Sequence, residues 1–270
     1  ILRRKLREGA KTLRDQHAAG ASLEALRAIK EEILAVIYRI LSIHLGTPPE
    51  RFTWQWTDQE KEFHREVELT PRAFAAKYVD LPIDEYVCLV NDPRPTSSYG
   101  QTYTVQYLGN VVSGGMVIYL NVDMALIKRI AQQTIEDGEP VWFGCDVGKM
   151  MRRDLGIWDK DLYDYESLYQ TTFSLNKADR LMYGETQMTH AMLFTGVDIV
   201  DGKARRWRVE NSWGEEGGQK GFYTMNDTWF DEYTFEIAAR KSYLSPELQA
   251  ALDQKPIVLP AWDPMGALAW

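Results

Sequence analysis

Thr189-His190-Ala191-Met192 and Trp207-Arg208-Val209-Glu210-Asn211-Ser212-Trp213-Gly214 are the stretches whose reading decides the fold. His190 heads an apolar run that reaches Ile199, and Asn211 follows the alternating run 206–210. Both runs have the pattern of strands. The 21-residue separation of His190 and Asn211 suits two adjacent strands joined by the Val200-Asp201-Gly202-Lys203 turn. Paired in that way, the strands bring an imidazole and a side-chain amide together. The amide can then fix the ring's tautomer and angle, with Trp213 beside the pair to keep water out.

Around this hairpin, the grammar from residue 85 onward is that of strands. Runs at 86–90, 102–107, 116–120, 140–145, 190–199, 206–210, 221–225 and 233–238 are each bounded by Gly, Pro, Asn or Ser. Residues 123–137 form one helix, with Met124, Ile127, Ile130, Ala131 and Ile135 on a face. The segment 146–185 reads as long loops with one short helix. Before residue 80 the pattern is helical over the first 45 residues and mixed from Phe52 to Asp80. A helix over 2–19 is closed by Gly20, and a second, capped by Ser22, carries apolar residues at helical spacing until Gly46 and Pro48-Pro49. A shorter one starts at Thr70-Pro71. The proline-broken apolar end, from Lys255 to Trp270, reads as an extended arm. The fold class is α+β, with a helical region at 1–80, a β domain carrying His190 and Asn211 at 81–244, and a short helix with the arm at 245–270.

The chain has 270 residues, 45% of them hydrophobic, and buries a substantial core. Its net charge of -8 argues against general nucleic-acid binding, which needs a surplus of Lys and Arg to neutralise phosphates. The basic face of the first helix, with Arg3, Arg4, Lys5, Arg7, Lys11 and Arg14, reads as a solvated face. No apolar run has the length of a membrane span, and the basic start lacks the apolar core of a signal peptide. Two cysteines, Cys88 and Cys145, are too few for a disulfide scaffold and point to reduced thiols in the cytoplasm. No residue pattern calls for a cofactor or a metal.

Four histidines occur. His17 and His44 fall in the last turns of helices, where an imidazolium complements the dipole, and His64 reads as surface. His190 with Asn211 makes two members of a Cys-His-Asn triad. Cys145 is a poor third member, because it ends a strand and precedes Asp146 rather than sitting at a helix amino terminus in an electropositive site.

Thr-His-Ala-Met, Trp-Arg-Val-Glu-Asn-Ser-Trp-Gly, Trp-Phe-Gly-Cys-Asp-Val-Gly-Lys (142–149), Cys-Leu-Val-Asn-Asp-Pro-Arg-Pro (88–95) and Pro-Ala-Trp-Asp-Pro-Met-Gly-Ala-Leu-Ala (260–269) resemble the bleomycin hydrolase and aminopeptidase C family of papain-like cysteine peptidases. The resemblance runs from Leu2 to Ala269 and covers the carboxyl-terminal part of the family's chain. It implies a papain-like β-barrel preceded by a helical insertion domain, with His190 as general base and Asn211 as its orienter. The family's nucleophilic cysteine lies upstream in a Gly-Ser-Cys-Trp type sequence that does not occur here. The chain alone is therefore expected to be inactive, with the thiolate-bearing amino-terminal segment its missing partner. The helix opening at Ile1 without a cap points the same way, to a truncated chain.

The resemblance further implies a homohexameric ring that trims peptides from their amino ends. The carboxyl-terminal arm would lie in the cleft, with Ala269 or Trp270 positioning the substrate's end. A non-catalytic assembly or binding module that keeps the oligomer contacts is the alternative.

Overall fold

The computed structural model describes residues 1–109, 111 and 114–269. The chain divides into two compact units, Ile1–Leu81 and Pro82–Trp270. None of the described helices is long and apolar enough to cross a membrane.

In the first unit α1 (Leu2–Ala18) and α2 (Leu23–Leu45) form a helical pair. Ser22 caps α2, its side chain accepting from the Ala25 backbone N–H. His17 and His44 occupy last turns, as the sequence indicates. Residues 50–69 differ from expectation. They form an antiparallel hairpin, β1 (Phe52–Thr57) and β2 (Phe63–Leu69), followed by α3 (Pro71–Tyr78). An aromatic cluster supports it: Trp54 packs edge-on to Phe74 with ring centroids 5.1 Å apart, and Trp56 packs edge-on to Tyr78 at 5.3 Å. His64 is not a free surface residue. It stacks on Trp56 at 4.9 Å, and its Nε2 lies 2.6 Å from Asp58 Oδ2.

The second unit is built on an eleven-stranded mixed sheet. In chain order the elements are β3 (Tyr86–Val90), β4 (Gln101–Val105), β5 (Tyr119–Asn121), α4 (Met124–Glu136), β6 (Val141–Cys145), β7 (Met151–Arg152), β8 (Ile157–Trp158), α5 (Tyr165–Tyr169), α6 (Lys177–Met182), β9 (His190–Val200), β10 (Lys203–Glu210), β11 (Phe222–Asn226), α7 (Asp227–Tyr233), β12 (Thr234–Arg240), α8 (Pro246–Leu252) and β13 (Ile257–Leu259). Among the described residues the strand order is β13-β4-β5-β3-β12-β6-β9-β10-β11-β8-β7, a linear order where a barrel was expected. More helices lie among the strands than the sequence suggests. The run 116–120 contributes only Tyr119 and Leu120 to β5, whose three residues are set by the partners on either side, β3 and β4.

Alternate residues of one strand serve two cores. Val87 and Leu89 of β3 pack into the larger, while Cys88 and Val90 pack into the smaller. The larger core joins Ile127, Ile130 and Ala131 of α4 to Phe143, Phe194, Trp207, Trp229 and Phe230. Within it the rings of Phe143 and Phe194 stack with centroids 3.7 Å apart. The smaller core gathers Val90, Tyr103, Val105, Tyr119, Leu181, Met188, Phe235 and Met265.

The β9–β10 hairpin places the functional candidates. Asp201 and Gly202 both adopt positive φ, 52° and 74°, as a two-residue type I′ turn requires. The arm is docked rather than loose. β13 pairs in parallel with β4, and Met265 of the terminal turn Pro264–Ala269 is buried in the smaller core.

Two stability measurements check this packing. Phe194→Ala removes a ring that stacks on Phe143 and Phe230, so urea unfolding is expected to show a loss of about 3–5 kcal/mol. Val200→Ala, on the exposed end of β9, is expected to stay within about 0.5 kcal/mol. Glu236 gives a pH dependence. It is buried on β12, and burial raises its carboxyl from 4.5 to about 8, against the lowering effect of the Cys88 hydrogen bond. A raised folded-state value favours the proton-bound form, so stability is highest below the unfolded value near 4.5 and declines as pH rises towards 8. Glu236→Gln is expected to flatten that decline and to be the more stable form at pH 8. An unchanged slope in denaturation midpoints between pH 5 and 8 would contradict this.

Candidate active site

Asn211 leaves the end of β10 and is held on both sides. Its backbone N–H donates to Gly221 O at 3.1 Å, and its side-chain Oδ1 accepts from the Ser212 backbone N–H at 2.8 Å. His190 opens β9, with its Nε2 3.0 Å from the same Oδ1. A backbone N–H can only donate, so the Ser212 contact fixes which end of the amide is oxygen. Nε2 must then be the protonated nitrogen of the neutral ring, which leaves Nδ1 as the basic one.

Trp213 stacks on the imidazole at 4.9 Å and 26°, and meets Tyr223 edge-on at 6.2 Å. The Arg153 guanidinium lies 5.0 Å from the indole centroid. Together these contacts limit tilting of the histidine ring. The loop from Asn211 to Gly221 closes tightly. Gly221 has φ +85°, and a Cβ there would lie 2.9 Å from Gly214 O, so glycine alone fits without strain.

The run-in to His190 is fastened by residues that the sequence reading missed. Asp146, which counted only as an unfavourable neighbour of Cys145, is buried. Its Oδ2 accepts from Thr186 Oγ1 at 2.8 Å and from the Gln187 N–H at 3.4 Å, and its Oδ1 accepts from Thr189 Oγ1 at 3.4 Å. Thr189 N–H donates to Cys145 O at 2.9 Å, and Thr189 Oγ1 accepts from Val147 N–H at 3.2 Å. Met188 lies against the backbone at Gly144 and belongs to the same cluster as Met265 of the arm. The only sequence signal for any of this is an acid just past a strand end.

Both cysteines carry thiols that their surroundings raise. Cys145 is the cross-strand partner of His190 in the β6–β9 register, yet its thiol is fully buried. Burial first, and then the Asp146 charge, push that thiol well above its usual value. Burial, and then Glu236, push Cys88 up likewise. A thiol raised in this way is not a thiolate at neutral pH, and the thiolate is the nucleophile. Ala269 closes the terminal turn, while its side chain and all of Trp270 lie outside the described residues.

Comparison with known proteins places this arrangement. The model of the Peptidase C1-like family matches residues 1–266. The chain belongs to that family. Bleomycin hydrolase of Homo sapiens is 44% identical over 275 residues, covering 100% of this chain and 60% of the relative. Aminopeptidase C of Listeria monocytogenes is 42% identical over 269 residues, again with 100% of this chain and 60% of the relative covered. In a solved structure, PepW from Lactobacillus rhamnosis superposes with a TM-score of 0.94 at 47% identity over 98% of this chain and 60% of that one. The chain thus spans 60% of the length of each of these Peptidase C1-like relatives.

The tautomer is directly measurable. Nitrogen-15 NMR of the neutral His190 ring is expected to show Nε2 protonated, and Asn211→Ala is expected to give a mixture of both neutral tautomers. A single unchanged tautomer in the variant would mean that the amide does not set it.

Proposed function

We propose that this chain is the carboxyl-terminal, His/Asn-bearing part of a cysteine aminopeptidase that removes residues from the amino ends of peptides. The observation that carries the reading is the His190 Nε2–H···Oδ1 Asn211 hydrogen bond, 3.0 Å long and stacked over by Trp213. It presents Nδ1 as a base for a thiol supplied by a segment outside this chain.

In the proposed reaction His190 Nδ1 takes the thiol proton, and the thiolate attacks the scissile carbonyl carbon. The resulting imidazolium gives that proton to the departing amine as the C–N bond breaks, which leaves a thioester. Water, deprotonated by the same Nδ1, then attacks the thioester; the C–S bond breaks to release the acid, and the departing thiolate takes the proton back from the imidazolium. Asn211 holds the ring through both transfers, so that its charge develops without reorientation.

The arm supplies direction. A terminal carboxylate at Ala269 or Trp270 pairs with the substrate's α-ammonium and blocks longer chains. A cytoplasmic homohexamer acting on peptides, with no nucleic acid and no membrane, completes the proposal. The raised thiols of both cysteines favour one other reading, that of an assembly module without turnover.

Mixing the chain with the thiol-bearing amino-terminal segment of a relative and following an aminoacyl fluorogenic substrate separates the two. Release is expected, with His190→Ala costing about a thousandfold or more and Cys145→Ser leaving the rate unchanged. Full activity in His190→Ala would sink the peptidase reading. Ring-sized particles in mass photometry with no release from the mixture would support the assembly module.

A further inference from the structure

The arm carries one acidic residue, Asp263, at the start of its terminal turn, and Asp263 meets a buried arginine 169 positions away. Arg94 Nη2 donates to Asp263 Oδ1 at 2.8 Å and Nη1 donates to Oδ2 at 3.2 Å, a bidentate fork. The other edge of the same guanidinium is taken by Asp92. Nε lies 2.9 Å from Asp92 Oδ1, and Nη2 lies 2.7 Å from Asp92 Oδ2.

Asp92 is itself immobilised. Its backbone N–H donates to Asn121 Oδ1 at 2.9 Å, while Asn121 Nδ2 donates to Asp92 O at 3.0 Å and to Ser97 O at 2.9 Å. The three charged side chains are only 8% (Arg94), 4% (Asp92) and 11% (Asp263) exposed. Burial opposes the Arg94 charge, but the two carboxylates outweigh it and hold the guanidinium more firmly protonated than usual.

Two features make this more than a surface ion pair. The bridge sits where the arm turns: Asp263 Oδ1 also accepts from the Met265 N–H at 2.9 Å, so the residue that grips Arg94 also shapes the turn that plugs Met265 into the smaller core. The charge balance is also uneven, with two carboxylates on one guanidinium. Removing Arg94 leaves Asp92 and Asp263 facing each other across a dry gap, whereas removing Asp263 leaves a neutral Arg94–Asp92 pair.

We infer that Arg94 and Asp263 are a specificity-determining positioning pair, which fixes the arm's end and thereby the choice between trimming an amino end and cutting within a peptide. The inference rests on the aminopeptidase reading proposed above. Neither residue touches the reacting atoms. Both act through the arm.

The test has two readouts. The first is hydrogen exchange of the 257–267 segment in this chain, which needs no activity. Asp263→Asn is expected to speed exchange there by about tenfold, and Arg94→Ala by more, while β9 and β10 stay protected. Arg94→Lys is expected to speed it too, since an ammonium cannot make the two-carboxylate fork.

The second readout is the enzyme reassembled with a thiol-bearing segment, given one peptide in free-amine and amino-acetylated forms. In Asp263→Asn the ratio of internal cleavage of the acetylated peptide to first-residue release from the free one is expected to rise about tenfold. kcat on an aminoacyl substrate should hold within about threefold.

Arm exchange unchanged in Asp263→Asn overturns the inference, and so does a loosened arm with an unchanged cleavage ratio. Should Arg94→Ala fail to fold, Asp263→Asn still decides, because it leaves Arg94 paired with Asp92. Loss of all turnover in the unmodified assembly would count against the peptidase reading, while the exchange readout would still judge the clamp.

Discussion

Everything at the candidate site depends on the register of one strand pair. β9 and β10 start together at the Asp201-Gly202 turn and part company seven residues later, where Glu210 faces Leu193. Along the way the pairing slips twice, between Ala204 and Arg206 and again between Arg208 and Val209. The first bulge adds a residue to β10 and the second adds one to β9, so the two cancel and the strands leave in the register with which they began. Had only one been present, each strand's faces would be exchanged relative to its partner beyond it. The pair of bulges instead keeps Trp207 and Val209 in the core while twisting the ribbon, and it delivers Asn211 to the imidazole at the start of β9.

The buried charges divide between two roles. Glu236 is a cost that the fold tolerates: a carboxyl in a dry strand face, held neutral by its surroundings at mildly acidic pH. Lys177 is similar in kind, with its ammonium between Asp231 O at 2.9 Å and Thr234 O at 2.6 Å, and burial lowers it from 10.5 to about 7. The Asp92–Arg94–Asp263 group differs, because every charge in it has an opposite partner. Such pairs add little net stability over an apolar replacement, yet breaking one is costly. Their effect is to make a single arm position far better than its alternatives.

What the sequence made legible was local. The Ser22 cap, the α4 stripe and the turn between β9 and β10 each depend on neighbours within a few residues, and each took its expected form. His190 and Asn211 could be paired because one hairpin relates them. The proposed catalytic roles came from motif resemblance and not from spacing. The hairpin of Phe52–Thr57 with Phe63–Leu69 was not legible. Its faces are polar and aromatic by turns, and its packing is against α3 rather than a sheet. Nor was α7, where two turns hide between strands and the adjacent apolar pair Trp229 and Phe230 shows no helical period. Asp146 and the Arg94–Asp263 bridge were out of reach for a deeper reason. Their partners lie 40 or more positions away, and nothing in either neighbourhood names them.

The run-in to His190 and the arm share one cluster. Met188 stands two residues before His190 and Met265 five residues before Trp270, and both are buried with Val90, Tyr103 and Phe235. The rigidity of this cluster is imposed from several directions. Asn121 ties the loop that carries Asp92 and Arg94, β13 pairs with β4, and Asp146 fastens Thr186 and Thr189 on either side of Met188. Interiors packed at crystal-like density transmit displacement rather than absorb it. A shift of the arm turn therefore reaches the run-in to His190 through side-chain contact. The imidazole itself is buffered by bonds that do not pass through the cluster, namely Asn211 Oδ1 and the Trp213 stack. The fold thus separates two requirements that meet in one place. The ring is oriented from the β10 side of the sheet and the arm from the β4 side.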